Sequence, residues 1–230
     1  YHFAAVTLDR IYLLRGQLDE FEFDVDDAEL AAARLDAGDG AFLVGAHFGS
    51  FEALRAVGRA RTQLRIAMVM YPDNARMINA ALAAVAPSQR PHIIPLGRMA
   101  SMLALRDWLD EGGLAGMLAD RVVSGDGMKA IQRSISFLGH DAPWSDGPYR
   151  LAALLKRRVL LMTCAYAGGN RYQLRFETLA DFSSASATAK NASDREALVS
   201  LAVERYAQAL ERACRAHPYN WFNFHDFWQE

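Results

Sequence analysis

The chain has 230 residues, a mass of 25.5 kDa and a formal net charge of −2 at pH 7. Hydrophobic residues make up 52% of it and charged residues 23%, which excludes a disordered chain, a collagen-like repeat and a small disulfide scaffold. This charge balance does not indicate a nucleic-acid partner. Because domains usually have roughly 100–200 residues, we expect one domain over residues 1–230.

The sequence contains no apolar run of the roughly 20 residues that a membrane helix needs. It begins with Tyr1 rather than Met, so we expect a processed or shortened chain, in which any membrane anchor would precede residue 1. Cys164 and Cys214 are predicted to be buried thiols of a protein in a reducing compartment. Neither the cysteines nor the histidines show the spacing of a metal site, so no metal is predicted.

Short, uniformly apolar segments alternate with segments of helical character along the chain. Segments that are apolar throughout are typical of strands covered on both faces, as in a parallel or mixed sheet. The predicted strands are Ala41–Ala46, Arg65–Tyr71, Pro91–Leu96, Leu114–Ala119 and Val159–Tyr166. The alternation predicts an α/β fold, a single domain with a mixed, mostly parallel sheet flanked by helices.

Two further segments have the alternating pattern of strands with one solvated face. Arg171–Glu177 follows a turn at 168–170 and is predicted to be an antiparallel strand towards the edge of the sheet. The acidic segment Asp19–Asp27 is predicted to be a short strand or an extended segment. The predicted helices are Asp26–Leu35, Ser50–Arg61, Asp73–Val85, Met99–Leu109, Asp146–Lys156 and Ser193–His217.

The segment 45–52 (GAHFGSFE) carries the clearest chemical signal in the sequence. An apolar run ends at His47, Gly49 and Ser50 form a turn, and Glu52 falls in the first turn of a helix. Ligands of open α/β sheets bind beyond the carboxyl ends of the strands, which is where His47 is expected. Histidine can take up and return a proton near neutral pH, and a carboxylate bound to its other nitrogen fixes the tautomer.

The same pattern also fits a structural histidine followed by an acid at a helix start. Spacing alone leaves both interpretations open, because catalysis requires a mutual geometry that a sequence does not show. The sequence lacks a serine elbow of the GxSxG kind. If His47 is catalytic, the nucleophile is therefore expected to be a hydroxyl or amine of the substrate, with direct transfer to it.

HFGSFE resembles the H-x4-D/E motif of the lysophospholipid acyltransferase superfamily, and in particular its branch of bacterial lipid A late acyltransferases. Four other segments resemble that branch in the same order, so that the resemblance spans nearly the whole chain. These segments are 8–12 (LDRIY), 117–121 (MLADR), 136–139 (SFLG) and 218–224 (PYNWFNF).

The resemblance implies transfer of a fatty acyl group from a thioester, on acyl carrier protein or coenzyme A, to a hydroxyl of a lipid or glycolipid acceptor. It makes His47 the general base and Glu52 its orienting partner. Asp120 and Arg121 fall at the second motif, where they would bind a substrate phosphate or the developing oxyanion, and Gly49 and Ser50 are assigned to substrate binding. No cofactor is implied beyond the thioester co-substrate.

The resemblance also implies a location at the cytoplasmic side of the bacterial inner membrane, peripheral or through an anchor upstream of residue 1. The residues after Asp120 depart from the pattern of the lipid A enzymes, which leaves the acceptor open. Two other functions remain open as well: an acyl-thioesterase, with water as the nucleophile, and a non-catalytic module that binds acyl carrier or lipid. The aromatic C-terminal segment fits either a membrane-facing surface or burial in the core.

Overall fold

A computed structural model describes residues 1–25, 39–62, 65–72, 74, 76, 92–121, 132–183 and 192–228. The predicted helix Asp26–Leu35 lies outside these residues, as does most of the predicted helix Asp73–Val85. The residues that follow Arg121, up to 131, are outside them as well.

Seven strands form one sheet in the order β1-β9-β8-β2-β5-β3-β4. Its neighbouring strands are parallel except for β8 and β9, which form an antiparallel hairpin. A separate two-stranded hairpin consists of β6 and β7. In chain order the strands are β1 Glu22–Val25, β2 Ala41–Gly45, β3 Ile66–Met70, β4 His92–Pro95, β5 Leu114–Leu118, β6 Gln132–Phe137, β7 His140–Ser145, β8 Arg158–Gly168 and β9 Arg171–Asp181.

Helices cover both faces of the sheet, because the side chains of its central strands alternate between two apolar layers. In β2, Leu43 packs into the layer that includes residues of the first two helices, whereas Phe42 and Val44 pack into the layer of the last three. A short 3-10 helix, Leu18–Glu20, follows the first helix. The helices are α1 His2–Leu14, α2 Phe51–Thr62, α3 Met99–Asp110, α4 Gly147–Leu154 and α5 Ala192–Ala216.

The structure confirms the predicted mostly parallel sheet flanked by helices, and each predicted apolar strand is present within a few residues of its expected bounds. The acidic segment does form a strand, β1. It pairs in parallel with β9, so β9 lies one position inside the edge and, as predicted, is antiparallel to its other neighbour β8. Sequence analysis missed the β6–β7 hairpin, whose strands are short and include Pro143. Within the described part of the chain, none of the helices has the length and hydropathy needed to cross a bilayer.

Candidate active site

The central strands β2 and β5 bring His47 and Asp120 together at the carboxyl edge of the sheet. Gly45 of β2 is in register with Leu118 of β5, and each of the two polar residues follows two positions later. Oδ1 of Asp120 lies 2.9 Å from the His47 ring nitrogen Nδ1, and Oδ2 accepts a hydrogen bond of 2.9 Å from the His47 backbone N–H. The imidazole is therefore held both by its ring and through its own backbone.

Asp120 is completely buried, and its charge is compensated by hydrogen-bond donors. Besides the two donors of His47, the indole Nε1–H of Trp221 donates to Oδ2 at 3.2 Å. Burial alone would raise the pKa of Asp120, but the hydrogen bonds and the charge of His47, together with the Trp221 hydrogen bond, bring it below the ordinary aspartate value. Asp120 is thus an ionised carboxylate at neutral pH.

An ionised carboxylate only accepts hydrogen bonds, so the proton on the neutral His47 ring must lie on Nδ1. This tautomer leaves Nε2 with a free lone pair. The His47 side chain is 31% exposed, and no described residue forms a hydrogen bond with Nε2. Asp120 thus sets the orientation and the tautomer of the ring through Nδ1, and a ring held in this way can accept a proton at Nε2.

Glu52 does not occupy the position expected from the sequence. Its carboxylate forms an ion pair with Arg10 of α1. In the same helix, Asp9 accepts a hydrogen bond of 2.7 Å from the Tyr172 hydroxyl of β9. Residues 9 and 10 thus join α1 to the sheet and to α2. The His47 ring N–H, which we expected to donate to Glu52, donates to Asp120 instead.

Gly49 and Ser50 shape the loop between β2 and α2. Gly49 has a φ of +60°, and a Cβ there would lie 1.8 Å from the backbone oxygen of Cys164. The buried Ser50 accepts a hydrogen bond of 3.1 Å from the Ala53 N–H at its Oγ, and so caps α2. The backbone N–H groups of both residues already donate, to the carbonyls of Asn220 and Cys164 respectively. Their assignment to substrate binding remains a prediction.

The chain after α5 returns to the active-site loop, which sequence analysis did not anticipate. Asn220 is buried, and its side-chain amide exchanges hydrogen bonds of 2.7 and 3.1 Å with the backbone of Tyr166 at the end of β8. Trp221 forms an isolated antiparallel bridge with Phe48. The Phe222 N–H donates to the His47 carbonyl at 2.7 Å. Residues 220–222 therefore hold the loop that carries His47 in place through backbone hydrogen bonds.

Arg121 follows Asp120 directly and is exposed at the same edge of the sheet. Its guanidinium is the nearest cation along the chain to the His47–Asp120 pair, and its function stays a prediction. In the part of the chain that the structure describes, no group of three or more histidine, cysteine, aspartate or glutamate side chains is arranged to hold a metal ion.

A histidine base at the carboxyl edge of a mostly parallel sheet, with a buried carboxylate behind it, is an arrangement suited to acyl transfer to a hydroxyl. The family model of the bacterial lipid A biosynthesis acyltransferases matches residues 16–230. The chain belongs to this family and is an acyltransferase enzyme. No curated protein matches the chain.

Proposed function

We propose that the protein transfers a fatty acyl group from a thioester to a hydroxyl group of a lipid or glycolipid, with His47 as the general base. The hydrogen bond between His47 Nδ1 and Asp120 Oδ1 carries this proposal, because it leaves Nε2 as the proton acceptor. The donor is acyl carrier protein or coenzyme A carrying the acyl chain, and membership of the family supports an acyl donor and a lipid acceptor in general.

In the proposed reaction, Nε2 of His47 removes the proton of the acceptor hydroxyl as its oxygen attacks the thioester carbonyl carbon. The new C–O bond gives a tetrahedral intermediate with a negative oxygen. Collapse of this intermediate breaks the C–S bond, and His47 returns the proton to the leaving thiolate. Asp120 keeps the ring in place and stabilises its protonated form throughout.

The developing oxyanion must be stabilised by hydrogen-bond donors or by a cation. Backbone N–H groups next to His47 and the guanidinium of Arg121 are the two candidates. The N–H groups of Phe48, Gly49 and Ser50 all donate to backbone carbonyls. They are therefore not free to stabilise the intermediate in this conformation. The exposed Arg121 guanidinium is the group that we assign to the oxyanion or to a substrate phosphate.

The acceptor is expected to reach the site from a membrane surface, at the cytoplasmic side of the inner membrane. Aromatic rings beside the loop that carries His47 support contact with a membrane surface. Phe3, Tyr219 and Phe224 are 51%, 75% and 72% exposed. Phe3 packs against Phe224 and Phe222, and the backbone of Phe222 binds His47. Exposed aromatic rings are favoured at the interface of a bilayer.

The proposal is tested with purified protein, acyl carrier protein and coenzyme A thioesters, and a panel of lipid and glycolipid acceptors, with products identified by mass spectrometry. We expect an acylated acceptor, and a loss of about 10²-fold or more in turnover in His47→Ala, as is typical when a general base is removed. Free fatty acid formed at full rate without an acceptor would instead show a thioesterase. Binding of the acyl donor without turnover would show a non-catalytic module.

A further inference from the structure

Trp221 contacts the His47–Asp120 pair through the carboxylate of Asp120. Its indole Nε1–H donates to Asp120 Oδ2 at 3.2 Å, the oxygen that also accepts from the His47 backbone. Asp120 Oδ1 is left for the imidazole. Two donors on one oxygen fix the rotation of the carboxylate, and with it the direction in which Oδ1 faces the ring.

The indole itself is held in a rigid aromatic cluster. Its ring meets Phe137 of the β6–β7 hairpin edge-to-face, with centroids 5.1 Å apart, and it meets Phe227 in the same way at 5.1 Å. The backbone on either side of Trp221 binds the active-site loop, through the Asn220 carbonyl and the Phe222 N–H. The donor therefore cannot turn away from Asp120 without breaking these contacts.

We propose that Trp221 is a positioning residue of the reaction. It is the third member of a hydrogen-bonded His47–Asp120–Trp221 triad, in which the indole N–H orients the carboxylate that in turn orients the base. This inference rests on the proposed function and extends it to the C-terminal segment. The indole donates one of the three hydrogen bonds that compensate the buried charge of Asp120. Without it, the carboxylate would rotate more freely and would act more strongly on the protonated imidazole.

Among the residues that the structure describes, two further titratable groups interact with Asp120 and stay uncharged near pH 7. Tyr206 and Cys214 of α5 both interact with its charge. Burial and this interaction raise the pKa of Tyr206 well above its ordinary value and that of Cys214 to about 12, so both stay neutral near pH 7. Neither group therefore changes the charge around Asp120 near pH 7.

Trp221→Phe removes the indole donor and keeps an aromatic ring in the cluster, and Trp228→Phe is its matched control. Trp228 lies in the same segment and donates its indole N–H to the Phe137 carbonyl at 3.3 Å. For Trp221→Phe we expect kcat to fall about tenfold, less than the loss of a general base, with KM unchanged. The acid limb of the pH profile of kcat should move to higher pH. Trp228→Phe should keep the wild-type profile.

An unchanged pH profile in Trp221→Phe would overturn the inference whatever happens to kcat, because a merely structural defect lowers the rate without moving the profile. A shift of equal size in both variants would overturn it as well. The folded state of each variant is checked by circular dichroism and thermal unfolding.

A second measurement uses the wild-type protein alone and so does not depend on the folding of a variant. The indole N–H proton of Trp221 is followed by NMR between pH 5 and pH 8. Trp144 is the internal reference, because Trp108 stacks on His92 and Trp228 packs against His140. We expect its chemical shift to change with the same midpoint as the His47 ring. An indole chemical shift that stays constant while the signals of the His47 ring change would contradict the inference. If the wild-type protein transfers no acyl group, the proposed function fails, and this experiment still shows whether Trp221 is coupled to the His47 ring through Asp120.

Discussion

His47 and Asp120 each lie two residues beyond a matched pair of residues in adjacent parallel strands, Gly45 in β2 and Leu118 in β5. The register of the sheet thus brings together a histidine and an aspartate that are 73 positions apart in sequence. The 2.9 Å contact that results orients the ring through Nδ1 and leaves Nε2 to act. Two neighbouring strands of a rigid sheet therefore fix the geometry of the proposed base.

Between pH 8 and pH 5, turnover should depend on the protonation of a single group. Hydrogen bonds and the charge of His47 outweigh burial and hold the pKa of Asp120 below its ordinary value, so Asp120 stays ionised as the pH falls from 8 to 5. The proposed base acts only when its Nε2 is unprotonated, so one proton must leave it before the reaction. A plot of log kcat against pH should have a limiting slope of one in this range. A slope of two would show that Asp120 titrates together with the ring.

Gly49 should resist substitution more than other glycines of positive φ. A Cβ at Gly49 would lie 1.8 Å from the Cys164 oxygen, and its φ is +60°. We expect Gly49→Ala to lower the free energy of unfolding by more than about 2 kcal/mol and to abolish most activity, since the loop that carries His47 must move.

Gly169→Ala is the control for this variant, because Gly169 has a similar φ of +66° and no atom within 4 Å of the added Cβ. Backbone strain alone should cost it about 1 kcal/mol, with normal turnover. Urea unfolding of both variants gives the comparison. Equal losses of stability would mean that the close approach of Gly49 to Cys164 has no energetic effect.

Direct transfer to the acceptor predicts that neither cysteine is needed for catalysis. Cys164 and Cys214 are both buried, with 3% and 4% exposure, and burial raises the pKa of Cys214 to about 12. Because the thiolate is the reactive form, iodoacetamide at pH 8 should label the native protein far more slowly than the urea-unfolded chain and leave turnover unchanged. Rapid labelling that destroys activity, and that the thioester substrate prevents, would indicate an acyl-cysteine intermediate instead.

The sequence predicts the sheet and one residue of the proposed catalytic pair, because both depend on local patterns. Uniformly apolar runs mark the buried strands, and the apolar run 41–46 ends at His47. Asp120 was predicted to bind substrate and not to pair with His47. Its role depends on β5 lying beside β2, although β3 and β4 come between them in the chain. Strand order of this kind is a tertiary property that local patterns do not encode.

The ion-pair partner of Glu52 and the position of Trp221 could not be predicted from local sequence patterns either. A spacing of five residues brings Glu52 near His47 along the chain, but it does not reveal that α1 places Arg10 against that carboxylate. Likewise, the aromatic composition of the C-terminal segment predicts burial or a surface without distinguishing them, and the structure contains both. Phe227 is buried and Phe224 is 72% exposed.

The most direct test of the account compares Asp120→Asn with Glu52→Gln, since each removes one carboxylate charge and nearly preserves side-chain shape. We expect Asp120→Asn to lower kcat by about 10²-fold or more, because the amide no longer fixes the productive tautomer of His47. Glu52→Gln should lose only the ion pair with the half-exposed Arg10, which stabilises the fold by at most about 1 kcal/mol, and should keep kcat within a few fold. The opposite result, a large loss of kcat in Glu52→Gln and near-normal kcat in Asp120→Asn, would contradict the account and make Glu52 the partner of the base.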